Sequence, residues 1–127
     1  MIFSVITVSF NSEKTIRKTI ESVIKQDYKE IEYIIIDGDS TDSTLEIINE
    51  YNQYISKVIS EEDKGIYNAI NKGIKLANGE YISILHSDDT FASDNVISKV
   101  KKAFEKNKTD IITTNVNFYN VKKEKFT

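Results

Sequence analysis

The sequence contains no cysteine and a single histidine, His86. Disulfide bonds and thiolate metal sites are therefore excluded, and one imidazole cannot assemble a histidine-rich zinc centre. Any metal ion that this chain binds would be held by oxygen ligands.

The chain also lacks a long hydrophobic run. No apolar segment approaches the roughly 20 residues that a transmembrane helix needs. Met1 leads directly into a predicted strand, without the basic region and cleavage site of a signal peptide. We therefore expect a cytoplasmic protein without a transmembrane segment.

Positive charge is scarce as well. The formal net charge of −3 argues against a protein that binds the phosphate backbone of nucleic acids, which generally needs clustered lysine and arginine. The length of 127 residues, with 39% hydrophobic and 29% charged residues, is typical of a soluble globular protein with one core. We expect a single domain over residues 1–127.

Apolar periodicity predicts strands that alternate with helices along the chain. The predicted strands cover residues 2–8, 31–36, 55–59, 81–85 and 110–114, with a hairpin continuing over 116–121. Three helix ends carry cap signals: a capping box from Ser43 to Glu46, a left-handed cap at Asn78 and Gly79, and an N-cap at Ser93. This alternation predicts an α/β fold with a mostly parallel sheet covered on both faces.

Polar residues follow each of the first four predicted strands. In open α/β sheets, ligands bind outside the carboxyl ends of the strands, where the connecting loops converge. A shared site at this edge is therefore expected. Its candidate residues are Ser9, Phe10, Asn11, Asp37, Gly38, Asp39, Glu61, Glu62, Asp63, Asp88 and Asp89.

The acidic pair Asp88 and Asp89 carries the strongest functional signal. Two adjacent carboxylates at the end of an apolar strand favour a hard divalent cation, which takes oxygen ligands and shares its shell with substrate phosphates. The alternative is a simple surface turn, since Asp and Ser residues commonly close turns. Neither a P-loop nor a dinucleotide fingerprint is present, so we expect a metal ion to neutralise any bound phosphate.

Four segments of the chain together resemble the family 2 glycosyltransferases, which have the GT-A fold. In chain order they read VITVSFNSEKTIRKTIESVIKQ, IEYIIIDGDSTDST, ISEEDKGIYNAINKGIKLANGEYI and ILHSDD. The resemblance runs from about Ile2 to Phe91. Within the family, the segment DKGIYNAINKG is most similar to enzymes that build bacterial surface polysaccharides from nucleotide sugars.

The resemblance implies a role for each matching position. Asp88 and Asp89 match the DXD-type motif, in which one acid meets the ribose or the metal and the next binds Mn²⁺ or Mg²⁺ on the diphosphate. In the second loop, we expect Asp37 rather than Asp39 to recognise the base. The implied nucleotide-binding positions are Ser9, Asn11, Asp37, Asp39, Asp63 and Asp88.

The implied reaction is transfer of a hexosyl group, with inversion, from a UDP- or GDP-sugar to a glycan or lipid-linked acceptor. It implies a location in the cytoplasm, including the inner face of the membrane. The family's catalytic base lies in a second half, so it is expected beyond Thr127, and this chain is expected to bind donor without completing transfer. A sheet that is cut short would also favour a homo-oligomer.

The sequence departs from the family pattern at two points. His86 stands where many members have the first acid of the motif; it could coordinate or hydrogen-bond, or be a structural residue. The second loop reads Asp37-Gly38-Asp39, where many relatives have two consecutive acids before the glycine.

Two alternatives remain open on sequence grounds. The run IIIDGDST also fits the signature of haloacid dehalogenase-like phosphohydrolases. In that interpretation, Asp37 is the nucleophile, Asp39 the acid/base, Lys75 a phosphate contact, and Asp88 with Asp89 the metal ligands. The other alternative is a nucleotide-binding module that has lost its chemistry.

Overall fold

The computed structural model describes the backbone of residues 2–107, 111–113 and 117–120, and the side chains of residues 2–106. Strands and helices alternate through most of this range, as the sequence predicts. The elements in chain order are β1 (Phe3–Ser9), α1 (Ile16–Ile24), β2 (Ile31–Asp37), α2 (Thr44–Glu50), a 3₁₀ turn (Asn52–Tyr54), β3 (Lys57–Ser60), α3 (Ile66–Leu76), β4 (Tyr81–Ile84), α4 (Val96–Asn107), β5 (Ile111–Thr113) and β6 (Asn117–Asn120).

The strands form one sheet in the order β3-β2-β1-β4-β6-β5. The first four strands in this order are parallel, whereas β6 pairs antiparallel with both β4 and β5. The prediction of a mostly parallel α/β sheet is therefore confirmed. The hairpin prediction is confirmed where its strands fall within the described residues; the remainder of 110–121 lies outside them.

Hydrophobic side chains cover both faces of the sheet. On one face, Phe3, Val5 and Ile35 pack with buried residues of α1, α2 and α4. On the other face, Ile6 and Ile34 pack against α3. Strands buried on both sides read as continuous apolar runs, which is why β1 and β2 were evident from the sequence. Each fully buried isoleucine contributes about 1.5–3 kcal/mol of transfer free energy.

The predicted capping box at the start of α2 is wrong in its bonding. Ser43 does precede the first helical residue, but its side chain makes no capping hydrogen bond. The Asp42 carboxylate instead accepts a hydrogen bond from the Thr44 N–H at 2.9 Å, and the Glu13 carboxylate accepts one from the Ser43 N–H at 3.2 Å. Acids of the surrounding loops have replaced the local cap.

The left-handed cap predicted at Asn78 and Gly79 is also wrong. Helix α3 ends at Leu76 and is followed by Ala77 in an extended conformation, with no positive φ at either predicted position. Gly79 has a different role: a Cβ atom there would lie 2.5 Å from the Ser4 Oγ and 2.8 Å from the Ile2 carbonyl oxygen. The chain needs glycine at this position because it passes close to the β1 backbone.

The N-cap predicted at Ser93 lies too early in the chain. Helix α4 begins at Val96, and the Ser93 hydroxyl donates a hydrogen bond to the Asn95 side chain at 2.7 Å. The Lys99 N–H donates to the Asn95 carbonyl, which places Asn95 at the start of the helix. None of the helices in the described ranges combines the length and apolarity needed to cross a bilayer.

Candidate functional site

An open cleft of about 930 Å³ lies at the carboxyl edge of the parallel strands. The loops after β1, β2, β3 and β4 all contribute to it, so the predicted convergence of these loops is observed. The lining residues are Val8, Ser9, Phe10, Asn11, Ser12, Glu13, Lys14, Thr15, Asp42, Asp63, Gly65, Ile66, Ala69, His86, Ser87, Asp88 and Asp89.

The loop after β1 is tied to the loop after β2 by side-chain hydrogen bonds to backbone groups. The Asn11 N–H donates to the Ser40 hydroxyl at 2.8 Å, and the Asn11 side-chain oxygen accepts from the Thr41 N–H at 2.9 Å. Asn11 has a φ of 45°, a left-handed conformation that asparagine tolerates better than most residues. The cleft wall is thus shaped by both loops together.

Asp37 lies behind this wall rather than in it. Its side chain is fully buried, and its two oxygens accept four hydrogen bonds. The donors are the Ser9 hydroxyl (2.7 Å), the Ser40 N–H (2.8 Å), the Ser40 hydroxyl (2.6 Å) and the Ser60 hydroxyl (3.0 Å). These bonds join the carboxyl ends of β1, β2 and β3, so Asp37 holds the sheet edge together.

Asp39 is exposed, adopts a φ of 65° and does not line the cleft. The second loop instead contributes Asp42. Partial desolvation raises the pKa of Asp42, but hydrogen bonds from the Thr44 hydroxyl and N–H and from the Glu13 N–H outweigh it, so the pKa lies below its ordinary value. Asp42 is therefore held as a carboxylate.

The acidic residues after β4 form a tight turn that also lines the cleft. The Asp89 N–H donates to the His86 carbonyl at 3.0 Å, while the side chains of Asp88 and Asp89 are exposed. Two contacts fix this turn against the first strand and its loop. The Ser87 N–H donates to the Val8 carbonyl at 3.2 Å, and the Ser87 and Ser12 hydroxyls lie 2.7 Å apart.

The charge of the cleft is strongly negative. Among the lining residues, five carboxylates face one ammonium group: Glu13, Asp42, Asp63, Asp88 and Asp89, with Lys14. Within the described residues, no three acidic or histidine side chains lie close enough together to hold a metal ion by themselves. Such a site would repel a lone diphosphate, but it fits a divalent cation that completes its shell with phosphate oxygens.

The loop between β3 and α3 contributes Asp63 and Gly65 to the lining of the cleft. The Asp63 carboxylate accepts a hydrogen bond from the Gly65 N–H at 3.1 Å and lies next to Gly38. Tyr67 is 79% exposed but does not line the cleft. Ile66, the first residue of α3, is 48% exposed and lines the cleft.

The structure brings Ser9, Asn11, Asp63, Asp88 and Asp89 to one cleft. It does not bring Asp37 and Asp39 there. Their assigned roles, and those of the five that meet, stay predictions at this point.

Sequence reasoning missed several lining residues. They include Glu13, Lys14 and Asp42, whereas Phe10, 62% exposed, was among the expected candidates. Asp42 gave no comparable signal, since an acid just before a helix is commonly a cap.

The chain is similar in sequence to known glycosyltransferases. Residues 4–127 match the family model described as "Glycosyl transferase family 2". A relative from Escherichia coli, UDP-Glc:alpha-D-GlcNAc-diphosphoundecaprenol beta-1,3-glucosyltransferase WfaP, is 38% identical over 100 residues, covering 76% of this chain and 39% of WfaP. These matches confirm the predicted resemblance to bacterial surface-polysaccharide glycosyltransferases.

Solved structures share the fold. S. aureus TarS 1-349 in complex with UDP-GlcNAc superposes with a TM-score of 0.81 at 30% identity, over 87% of this chain and 33% of TarS. The mannosyltransferase PcManGT from Pyrobaculum calidifontis, in complex with GDP-Man and Mn²⁺, gives a TM-score of 0.80 at 17% identity, over 94% of this chain and 44% of that protein. The GT-A fold is thereby confirmed. The chain spans about two fifths of the length of WfaP and a third of TarS 1-349.

Proposed function

Because the chain belongs to glycosyl transferase family 2, we propose that its cleft binds a UDP-sugar as the donor for glycosyl transfer. The family makes the protein a glycosyltransferase. The choice of a uridine donor is supported by two relatives at 30% identity or more, WfaP, whose name includes UDP-Glc, and TarS, solved with UDP-GlcNAc.

The observation that carries the proposal is the position of the acidic turn. Asp88 and Asp89 line the same cleft as the loop after β1, and the Ser12–Ser87 contact fixes the two loops relative to each other. Asp88 and Asp89 would hold Mn²⁺ or Mg²⁺ together with the two phosphates of the donor. The ion would supply positive charge to the nucleoside diphosphate as it leaves.

The other side of the cleft suits the nucleoside. Phe10 offers an exposed aromatic face on which a base can stack, and Asn11 and Asp63 supply polar groups beside it. Asp37 acts on this side indirectly, because it fixes Ser9 and Ser40 and through them the course of the loop at Asn11. We therefore assign Asp37 a supporting role and Asp39 no contact of its own.

The acceptor half of the reaction is proposed on the resemblance. We propose inverting transfer of a hexosyl group to a glycan or lipid-linked acceptor, in keeping with the diphosphoundecaprenol-linked acceptor in the name of WfaP. No described residue is assigned as catalytic base. The single domain over residues 1–127, the cytoplasmic location at the membrane face and the homo-oligomer stay predictions.

Because the chain matches the glycosyl transferase family 2 model, we do not retain the haloacid dehalogenase-like alternative. The geometry agrees with this, because a carboxylate nucleophile must be accessible and Asp37 is fully buried with four hydrogen bonds. The non-catalytic nucleotide-binding module stays the alternative for this chain, and an assay of sugar transfer by the whole protein decides between them.

The proposal is tested by isothermal titration of UDP into the folded chain, with Mn²⁺ and with chelator. We expect binding that depends on Mn²⁺ and is at least about tenfold weaker in Asp89→Asn, because one ligand of the ion is lost. Asp94→Asn is the matched control, since Asp94 is an exposed acid beyond the acidic turn and outside the cleft.

A parallel titration with GDP identifies the base. Tighter binding of GDP than of UDP would overturn the uridine assignment but keep the donor site. Failure of both nucleotides to bind a folded sample would overturn the proposed function of the cleft.

A further inference from the structure

Helix α1 carries polar side chains on the side that faces the protein interior. Thr19 is fully buried, although the neighbouring inward positions Ile16, Ile20 and Val23 are apolar, and Gln26, two residues beyond the end of the helix, is 1% exposed. Buried polar groups are costly unless they are hydrogen-bonded. Their partners show what these side chains do.

Thr19 bonds the acidic turn from behind. Its hydroxyl lies 2.9 Å from the Ser87 carbonyl oxygen and 2.6 Å from the Asp89 carbonyl oxygen. Thr19 does not line the cleft, so it would reach a bound ion only through the turn. The hydroxyl has one proton to donate, and the two carbonyls on either side of Asp88 lie closer to it than the Thr15 carbonyl of the same helix, at 3.5 Å.

Ser22 and Gln26 hydrogen-bond the backbone that follows the acidic turn. The Ser22 hydroxyl accepts a hydrogen bond from the Phe91 N–H at 3.2 Å. The Gln26 side chain donates to the Ser93 carbonyl at 2.7 Å and accepts from the Ile97 N–H at 3.1 Å. Thr19 and Ser22 lie three residues apart on α1, and Gln26 lies two residues beyond the end of the helix. Together they hydrogen-bond the backbone from the acidic turn to the start of α4.

The turn needs such support because its two carboxylates are adjacent, exposed and of like charge. Without the Thr19 hydroxyl, the carbonyls of Ser87 and Asp89 would lose a buried donor, and the turn would be held only by its backbone hydrogen bonds and by the Ser12–Ser87 contact. Groups that hydrogen-bond behind metal ligands typically change metal affinity by 10- to 100-fold when removed.

We propose that Thr19 is a positioning residue for the metal–diphosphate subsite, acting through the carbonyls of Ser87 and Asp89. The inference rests on the proposed function of Asp88 and Asp89. Its distinguishing consequence is that loss of the Thr19 hydroxyl weakens only the metal-dependent part of nucleotide binding.

The test compares the full chain with Thr19→Val, Thr19→Ser and Thr7→Val. UDP is titrated with Mn²⁺ and with chelator, and amide hydrogen exchange is measured at Asp89. Thr7→Val is the matched control because Thr7 is also fully buried and its hydroxyl bonds the Tyr33 hydroxyl at 2.9 Å, away from the turn.

For Thr19→Val we expect about tenfold weaker UDP binding with Mn²⁺, unchanged binding with chelator and faster exchange of the Asp89 amide. Thr19→Ser keeps the donor and should bind as the wild type does. Thr7→Val should lose stability without losing metal-dependent affinity.

The inference is overturned if Thr19→Val binds UDP with Mn²⁺ as tightly as the wild type, or if Thr19→Ser is equally impaired. If Thr19→Val does not fold, Thr19→Cys is compared with Thr19→Ser, because a thiol is a much weaker donor of similar size; equal affinities would then overturn the inference. If the wild type itself shows no metal-dependent binding, the proposed function fails, and exchange at Asp89 decides alone: unchanged exchange in Thr19→Val overturns the positioning role.

Discussion

Asp37 and the pair Asp88 and Asp89 are acids at the same edge of the same sheet, but their environments are opposite. Asp37 ends β2 fully buried, with hydroxyl and N–H donors on every side. Asp88 and Asp89 follow β4 in an exposed turn whose backbone, rather than whose carboxylates, is fixed by hydrogen bonds.

The difference shows how one residue type serves two purposes. A carboxylate whose acceptor capacity is filled by the protein stabilises the fold and has little left to offer a ligand. A carboxylate whose backbone is fixed while its oxygens stay open is prepared for a cation. The supply of donors around each acid therefore decides which of them binds and which of them supports.

The largest effect is expected from removing the supporting acid. Asp37→Ala would leave three hydroxyl groups and one N–H without their acceptor, which should lower the free energy of unfolding by about 3 kcal/mol. Urea unfolding measures this loss. Asp39→Asn is the control, because Asp39 is exposed and asparagine tolerates its φ of 65°. Equal free energies of unfolding for the two variants would contradict the supporting role of Asp37.

A second substitution separates the nucleoside side of the cleft from the metal side. Phe10→Ala should weaken UDP binding about tenfold both with Mn²⁺ and with chelator, since loss of a base stack is worth about 1–3 kcal/mol. Calorimetry measures both conditions. Val58→Ala, a partly exposed apolar position on β3 outside the cleft, should bind as the wild type does. A loss of UDP affinity seen only with Mn²⁺ would contradict the assignment of Phe10 to the nucleoside and indicate a role in the metal part of the site.

The smallest effect concerns Asp42, which shares features of both groups because it lines the cleft and also accepts local hydrogen bonds. The pKa of Asp42 is lowered in the folded state. Its carboxylate therefore stabilises the fold at pH values above its ordinary pKa of 3.8, and this stabilisation is lost as the pH falls through the lower folded-state pKa. Asp42→Asn should therefore lower the thermal midpoint slightly at neutral pH, and the difference from wild type should vanish in acid.

Thermal unfolding between pH 7 and pH 2 measures this dependence. Glu62→Gln, an exposed acid on the loop after β3, is the control and should follow the wild type across the range. A difference between Asp42→Asn and wild type that grows in acid would contradict the lowered pKa.

The elements of the fold were predictable because burial dominates their patterns. The runs of β1 and β2 are apolar on both faces, and α1 repeats Ile16, Ile20 and Val23 at helical spacing, so few other arrangements could bury them. The helix ends were less predictable. Ser43 and Ser93 could each have capped a helix. At the start of α2, the carboxylates of Glu13 and Asp42 accept the hydrogen bonds from the Ser43 and Thr44 N–H groups instead, and Asn95 rather than Ser93 precedes α4. The residues on either side of Ser43 and Ser93 do not by themselves specify these contacts.

The candidate site was predictable at the level of loops and less so at the level of side chains. Parallel strands bring their carboxyl ends to one edge, so the polar residues after β1, β2, β3 and β4 were expected to meet. Which acid of the second loop would face the cleft depended on where Ser9, Ser40 and Ser60 lie around Asp37. Those three residues are 28, 3 and 23 positions away from Asp37 in the chain.

The sequence by itself determined the alternation of strands and helices, the edge at which the loops converge and the family to which the chain belongs, because hydrophobic periodicity and motif order are local properties. Only the tertiary structure decided that Asp37 is buried, that Asp42 rather than Asp39 lines the cleft, and that Thr19 hydrogen-bonds the acidic turn. These outcomes depend on hydrogen-bond donors that distant segments bring together, and no local pattern records which donor meets which acceptor.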